Sequence, residues 1–166
     1  MELTLEDAEA TSLLGKSLAG AFPGATERAA ALYLTGDLGA GKTTCVRSLL
    51  GALGVTGLIR SPTFTLVETY RAGALLCVHV DLYRLAGAAE VDDLGLRDYL
   101  AAGTLLLVEW PQRGAAALPS PDLELDLEFA EHGRHARLHA ASELGRRWQH
   151  NLKNDTRLAP YLSNLT

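Results

Sequence analysis

A single octapeptide, GDLGAGKT at residues 36–43, constrains this chain more than any other feature, because it fits the phosphate-binding pattern G-x-x-x-x-G-K-[ST]. Glycines in such a loop let backbone N–H groups turn inward around a polyphosphate, and the helix that follows points its positive dipole end at the same charge. Lys42 should then reach the β- and γ-phosphates, and the Thr43 hydroxyl should reach a Mg²⁺ ion that bridges them. The motif predicts a nucleotide site.

The flanking segments have the order that a P-loop requires. Residues 30–34 form a short apolar run of the buried-strand type, and residues 44–50 have helical spacing. Arginine supplies nearly every positive charge, and the only lysines are Lys16, Lys42 and Lys153, which means that a lysine in this loop is not a by-product of composition. We expect Lys42 to be a solvated loop residue that contributes little to stability.

Length and composition limit the kind of protein. The 166 residues predict one domain at residues 1–150 and a C-terminal tail at residues 151–166. The formal net charge of −5 argues against broad nucleic-acid coating. Cys45 and Cys77 lie in apolar runs without metal-ligand or disulfide spacing, which predicts buried thiols in a reducing cytosol. Because neither a signal segment nor a membrane-spanning run is evident, we expect a soluble cytoplasmic protein with no membrane contact.

Capping residues and periodicity predict the remaining elements. Thr4 has the position of an N-cap before an apolar helical stripe that ends by Gly20. Segments rich in strand-forming residues predict two hairpins, and a fully apolar run predicts a central parallel strand. Helical spacing predicts two later helices. The second hairpin has acidic residues opposite basic ones, which predicts cross-strand charge pairs. The hairpins are residues 64–70 with 74–81 and 122–129 with 134–140, the strand is 104–109, and the helices are 90–100 and a stretch from residue 142.

Two apolar strands close on a carboxylate, Asp81 after residues 76–80 and Glu109 after residues 105–108. The carboxyl ends of parallel strands are where P-loop proteins place the groups that hold Mg²⁺ and orient water. His79 lies on the same strand face as Asp81, and we interpret it as a hydrogen-bonded core residue.

The sequence Ser61-Pro62-Thr63 places two hydroxyls in a restricted loop between the P-loop helix and the next strand. Segments in this position sense the γ-phosphate in P-loop switches. Spacing alone slightly favours an ordinary turn before a strand.

Five motifs occur in order along the chain: GDLGAGKTT (residues 36–44), SPTFTLVE (61–68), HVDLYRL (79–85), DLGLRDYL (93–100) and LVEW (107–110). Together they resemble the TsaE family, whose members are ATPases required for making threonylcarbamoyl adenosine in bacterial tRNA. The combination is far more specific than the P-loop alone, and the resemblance weakens after Pro111.

This resemblance implies an α/β, P-loop NTPase-like three-layer fold with a central parallel sheet and antiparallel strands at the edges. It implies a slow, Mg-dependent ATPase whose activity depends on a TsaB–TsaD complex and which does not itself transfer the threonylcarbamoyl group. Contact with tRNA would be indirect or weak, and the protein alone would be a monomer. Trp110 would lie close to the nucleotide, and Tyr83 and Arg84 would belong to the partner surface.

The resemblance also implies roles for individual residues. Thr43 and Glu109 would hold Mg²⁺, and Lys42 and Asp81 would be catalytic, with Asp81 either orienting water or supporting the metal site from behind. Residues 61–63 would form a switch-like loop. The implied ATP-binding residues are Thr11, Gly36, Asp37, Leu38, Gly39, Ala40, Gly41, Lys42, Thr43, Thr44 and Arg134.

Three other kinds of protein carry a P-loop. A small-molecule P-loop kinase needs an acceptor pocket and an arginine-bearing lid, and no long insertion of that kind is evident. A GTPase would need the guanine-reading sequence Asn-Lys-x-Asp, which is absent. A pure interaction module would retain ATP as a structural ligand, whereas an ATPase releases phosphate.

Overall fold

A seven-stranded sheet forms the middle of the computed structural model, which describes residues 1–24 and 26–163. In chain order the strands are β1 (Glu2–Leu5), β2 (Ala30–Gly36), β3 (Val67–Ala72), β4 (Leu75–Asp81), β5 (Thr104–Glu109), β6 (Leu123–Phe129) and β7 (Arg134–Ala140). The helices are α1 (Ala8–Ala21), α2 (Lys42–Ala52), α3 (Ala88–Asp92) and α4 (Glu143–Lys153). Short 3-10 helices cover Leu96–Tyr99, Pro111–Arg113, Ala115–Ala117 and Thr156–Tyr161.

The strands lie side by side in the order β1-β7-β6-β2-β5-β4-β3. Strand β2 is parallel to β5 and β6, and β4 is parallel to β5, whereas β1, β3 and β7 pair antiparallel. This arrangement confirms the predicted parallel centre with antiparallel edges. The second predicted hairpin contributes to that centre, because β6 joins β2 in parallel and only β7 turns back.

Both faces of the sheet bury apolar side chains, which gives the predicted three layers. On one face α1, α2 and α4 pack against leucines such as Leu32 and Leu107. On the other face α3 and the following 3-10 helix contribute Val91 and Leu96 to a smaller core around Val108. The strands β2, β4 and β5 are therefore covered on both sides, and their carboxyl ends meet at one edge.

The predicted helix start at Thr4 is wrong. Leu3 and Leu5 are fully buried in β1, which pairs with β7, and α1 begins only after Asp7, whose carboxylate accepts a hydrogen bond from the Ala10 N–H at 2.8 Å. Burial of two leucines against the sheet outweighs a local capping preference at Thr4, because a cap is worth only about 1 kcal/mol.

Two other predicted elements are shorter than expected. The first hairpin begins at Val67, because the preceding residues form a turn in which Phe64 is 81% exposed. The predicted helix at residues 90–100 is divided into α3 and a 3-10 helix, and Gly95 between them has a φ of 65°. A left-handed residue cannot continue an α-helix, and glycine adopts this conformation without a Cβ penalty.

The chain returns to the core near its end. Ser142 caps α4, and the indole N–H of Trp148 donates to the Leu18 carbonyl of α1 at 2.8 Å. The boundary predicted at residue 150 falls within α4, and beyond it Leu152 and Leu158 pack into the larger core. Residues 164–166 of the predicted tail lie outside the described residues. Within the described part, none of the helices has the length and hydrophobicity that a membrane span requires.

Candidate nucleotide-binding site

The carboxyl ends of β2, β4 and β5 surround a cavity of about 180 Å³. Parallel strands bring their ends to one edge of the sheet, and ligands of open α/β folds bind at such an edge. The P-loop lies on one side and the two strand-end acids on the other. The lining residues are Leu38, Gly39, Gly41, Lys42, Thr43, Thr44, Thr63, Asp81, Tyr83, Glu109 and Trp110.

The P-loop turns tightly between β2 and α2, and two of its glycines have a steric reason to be there. Gly36 has a φ of 123°, and a Cβ on it would lie 2.0 Å from the Leu127 carbonyl oxygen on β6. Gly41 has a φ of 109° and a left-handed conformation directly before α2. Substitution at either glycine would open the loop, because neither conformation suits a side chain.

Lys42 is the first residue of α2 and is only 4% exposed. Its ammonium donates to the Gly36 and Asp37 carbonyls at 2.6 and 2.7 Å and lies 4.2 Å from the centre of the Trp110 ring. Burial lowers the pKa of Lys42, and the nearby carboxylates of Glu109 and Asp81 oppose that shift. The expectation of a solvated lysine is therefore wrong, because the loop folds around the side chain.

Thr43 and Glu109 are in direct contact. The Thr43 hydroxyl lies 2.9 Å from each carboxylate oxygen of Glu109, and the Nε2 atom of His79 lies 2.8 Å from Oε1 of the same carboxylate. Glu109 is 2% exposed and His79 is fully buried. The hydroxyl and carboxylate that the sequence predicts as metal ligands are thus adjacent oxygens at one point of the cavity.

Asp81 is paired with Glu109 across β4 and β5 and is 5% exposed. One of its oxygens accepts a hydrogen bond from the Tyr83 N–H at 2.9 Å. Burial raises the pKa of Asp81, the Tyr83 hydrogen bond opposes this, and the neighbouring Glu109 adds to it. The two strand-end acids therefore face the same cavity with different partners.

The loop at residues 61–66 brings a hydroxyl to the cavity. Thr63 lines it, and its hydroxyl lies 2.7 Å from that of Ser61. The Leu66 N–H donates to the Pro62 carbonyl at 2.7 Å, and Leu66 itself is left-handed with a φ of 65°. The Asp81 N–H donates to the Leu66 carbonyl at 3.0 Å, which ties this loop to the end of β4.

Thr11 and Arg134 flank the back of the P-loop and do not line the cavity. A Cβ placed on Gly41 would lie 3.1 Å from Cγ2 of Thr11 and 3.4 Å from Nε of Arg134. The predicted nucleotide residues Gly36, Asp37 and Ala40 also do not line it: Ala40 packs in the core, whereas the other two present carbonyls to Lys42.

Two aromatic side chains close one side of the cavity. The rings of Tyr83 and Trp110 lie 5.0 Å apart, and Trp110 has a left-handed φ of 60° directly after β5. Trp110 lines the cavity, and its predicted position close to the nucleotide stays a prediction. Its contact with Lys42 had no sequence signal, because it joins the start of α2 to the residue after β5.

The residues present fit a nucleotide polyphosphate with a Mg²⁺ ion. The helix α2 begins without a side-chain cap, which leaves its first N–H groups for an anion. Within the described residues, Nε of Arg134 is buried without a hydrogen-bond partner beside the same turn. Thr43 and Glu109 offer the hard oxygen donors that Mg²⁺ prefers, and this ion needs few protein ligands when phosphates and water complete its coordination.

Comparisons with known proteins point to the same kind of protein. The family model described as "Threonylcarbamoyl adenosine biosynthesis protein TsaE" matches residues 5–138. The tRNA threonylcarbamoyladenosine biosynthesis protein TsaE of Haemophilus influenzae is 41% identical over 121 residues, which cover 73% of this chain and 77% of that protein. The protein of the same name from Synechocystis is 44% identical over 117 residues, which cover 68% and 71%.

Among solved structures, the crystal structure of Bacillus subtilis YdiB superposes with a TM-score of 0.74 at 28% sequence identity. The match covers 92% of this chain and 93% of that one, so the similarity extends over the sheet and its helices. Together with the P-loop, these matches confirm the predicted family and fold. The chain belongs to the TsaE family, which takes part in tRNA threonylcarbamoyladenosine biosynthesis.

Proposed function

We propose that this protein binds ATP with Mg²⁺, hydrolyses it slowly, and couples that hydrolysis to a TsaB–TsaD complex during threonylcarbamoyl adenosine formation. The observation that carries the proposal is the contact between Thr43 and Glu109 next to the buried ammonium of Lys42. P-loop enzymes that transfer phosphoryl groups use a lysine and a hydroxyl at the start of the P-loop helix together with a carboxylate at the end of a neighbouring strand.

The P-loop would hold the phosphates through its backbone N–H groups and the N-terminus of α2. Lys42 would exchange its two carbonyl acceptors, Gly36 and Asp37, for phosphate oxygens. Phosphate oxygens are charged acceptors, and charge-assisted hydrogen bonds are stronger than those to neutral carbonyls. Thr11 and Arg134 support this turn from behind, where the Nε of Arg134, which has no hydrogen-bond partner among the described residues, favours negative charge.

Thr43 and Glu109 would hold the metal, and a bound Mg²⁺ would neutralise charge that develops on the β- and γ-phosphate oxygens. Asp81 is the remaining acid of the cavity. Within the described residues its carboxylate accepts one hydrogen bond, from the Tyr83 N–H, and its second oxygen would accept from an attacking water or from a water in the metal shell.

Slow turnover is supported by what surrounds the cavity. Within the described residues the cavity lining contains no arginine, and the nearby Arg84 stacks on Phe64 instead, 4.3 Å from its ring centre. The hydroxyls of Ser61 and Thr63 contact each other. An arginine or loop supplied by a partner can raise phosphoryl-transfer rates by roughly a thousandfold or more. The TsaB–TsaD complex would therefore reorganise residues 61–66 or add the missing charge.

The test is phosphate release from ATP, measured for the wild-type protein alone and for the wild-type protein with TsaB–TsaD. A third sample replaces the wild-type protein by the Lys42→Ala variant and contains TsaB–TsaD. We expect weak release alone, stimulation by the complex and loss in the variant. A P-loop kinase would transfer phosphate to an added acceptor rather than to water, and a protein that holds ATP structurally would retain it. Full activity without the complex would contradict the coupling, and no release under any condition would contradict the ATPase.

The cellular setting follows from the same proposal. Joint action with TsaB–TsaD on tRNA would place the protein in the cytoplasm, and we propose that the protein alone is a monomer that meets tRNA indirectly or weakly. The net charge of −5 supports weak contact, because tight binding to a polyanion requires a concentration of positive charge.

A further inference from the structure

We propose that His79 is a positioning residue, whose Nε2–H group fixes the carboxylate of Glu109 in the orientation that Thr43 and Mg²⁺ use. The inference rests on the proposed metal site and goes beyond it, because His79 itself contacts neither metal nor nucleotide in that proposal. Its imidazole would act only through Glu109.

The contact is well defined. Nε2 of His79 lies 2.8 Å from Oε1 of Glu109, and both side chains are removed from solvent. The same Oε1 atom and its neighbour Oε2 each lie 2.9 Å from the Thr43 hydroxyl. The carboxylate is therefore held from β4 on one side and from α2 on the other, and its rotation about the side-chain axis would break at least one of these contacts.

The hydrogen-bond pattern assigns the histidine tautomer. An ionised carboxylate can only accept hydrogen bonds, which requires Nε2 to carry the proton. Nδ1 of His79 is buried and has no hydrogen-bond partner within the described residues, and an unprotonated ring nitrogen tolerates this better than an N–H group would. The whole polar function of the ring is thus directed at Glu109.

A purely structural histidine would be expected to differ. Most side-chain hydrogen bonds in proteins go to the backbone or to water rather than to another side chain. In the part of the chain that the structure describes, the one hydrogen-bond partner of the His79 ring is the side chain that we propose as a metal ligand, and β4 places His79 and Asp81 on one face, two residues apart. Groups that orient a metal ligand from behind typically contribute about 10-fold to 100-fold in metal affinity.

Two substitutions at this position separate orientation from packing. His79→Gln places an amide N–H at about the reach of Nε2, whereas His79→Asn is too short to meet Glu109. Val78→Ala is the matched control, because Val78 is equally buried on the same strand but belongs to the core on the opposite face. Each protein is titrated with Mg²⁺ at a fixed ATP concentration, and the amount of bound ATP is measured. The affinity of each protein for ATP without Mg²⁺ is measured separately in EDTA.

We expect His79→Asn to raise the Mg²⁺ concentration for half-maximal ATP binding about tenfold or more. The ATP affinity measured in EDTA should change little. His79→Gln should recover most of this loss, and Val78→Ala should lower the unfolding midpoint without a Mg²⁺ shift. An unchanged Mg²⁺ requirement in His79→Asn, while Glu109→Gln shifts it, would overturn the inference and leave the proposed function standing. If neither Glu109→Gln nor His79→Asn shifts it, the metal site fails and the inference fails with it.

Nuclear magnetic resonance of the wild-type protein tests the inference without a variant. In the nucleotide-free protein the His79 ring should show a proton on Nε2 that exchanges slowly with water. A proton on Nδ1 with Nε2 unprotonated would overturn the inference even if His79→Asn does not fold.

Discussion

Two pairs of carboxylates on one sheet show how differently the same side chain can be used. Asp81 and Glu109 end neighbouring parallel strands, are almost fully buried, and within the described residues make no ion pair with lysine or arginine. Asp126 and Glu128 lie on β6, are partly or largely exposed, and both pair with Arg137 on β7. The second group confirms the predicted cross-strand charge pairing.

The two pairs differ in how much free energy it costs to remove their carboxylates from water and in what compensates that cost. An exposed ion pair loses little hydration and contributes little to stability. Burying a carboxylate costs much free energy unless other groups compensate its charge. Asp81 has one backbone N–H and Glu109 has a hydroxyl and an imidazole. The Lys42 ammonium acts on both carboxylates, but it is one positive charge against two negative ones, and a metal ion would supply the rest. Four predictions test this comparison, beginning with the largest effect.

Lys42→Ala should reduce ATP binding or turnover by about 100-fold or more, because it removes the cation closest to the predicted phosphate position. It should also lower stability, since the variant leaves the Gly36 and Asp37 carbonyls without their donor in a buried loop. Nucleotide titration and chemical denaturation of the same preparation measure both. A folded variant with wild-type affinity and turnover would remove the basis for a functional P-loop.

The variants Glu109→Gln and Asp81→Asn should have different effects, because we propose different roles for the two buried carboxylates. Loss of the full charge of Glu109 should raise the Mg²⁺ concentration needed for activity by at least about tenfold. Asp81→Asn should mainly lower kcat, because a water-orienting group is needed when charge develops at the γ-phosphate. A Mg²⁺ titration of binding and turnover for both variants is the measurement. Equal shifts would refute the division of roles, and a larger shift for Asp81→Asn would reverse it.

Asp81→Asn should also stabilise the protein at neutral pH by roughly 0.5–2 kcal/mol, as substitutions at functionally constrained sites often do. The pKa of Asp81 is raised in the folded state, mainly by burial. The native state therefore binds more protons than the unfolded state between the ordinary and the raised pKa, and the free energy of unfolding falls as pH rises through that window. Asparagine avoids this loss and can still accept from Tyr83.

Denaturation curves at neutral pH and at a pH below the ordinary carboxyl pKa provide the check. The stability advantage of Asp81→Asn should disappear at the lower pH, where the wild-type carboxyl is protonated in both states. A variant that is less stable than wild type at neutral pH would contradict the direction of the shift.

Arg137→Ala should have the smallest effect and serves as the control for the exposed pair. Its partners Asp126 and Glu128 remain in contact with water, so ATP binding and Mg²⁺ dependence should not change. Any loss in unfolding midpoint should shrink at high salt, because screening weakens exposed ion pairs in the wild type. A Mg²⁺ shift in this variant would mean that the two carboxylate pairs are coupled through the sheet.

Much of the fold follows from local pattern. The apolar runs that became β2, β4 and β5 and the alternation that became β6 and β7 are strong signals, because burial on one or two faces imposes them directly. Local signals failed at Thr4, where pairing of β1 with β7 outweighs a cap, and at Gly95, where a left-handed glycine divides the expected helix.

The sequence by itself determined which groups the candidate site contains: a P-loop with Lys42 and Thr43, and two acids at strand ends. These features are local, because the loop conformation depends on its own glycines and a strand end on its own apolar run. Only the tertiary structure decided that Thr43 meets Glu109, that Trp110 packs on Lys42, and that His79 holds the carboxylate. Each contact joins residues from separate elements, and its geometry depends on the order and register of strands in the sheet, which no local pattern encodes.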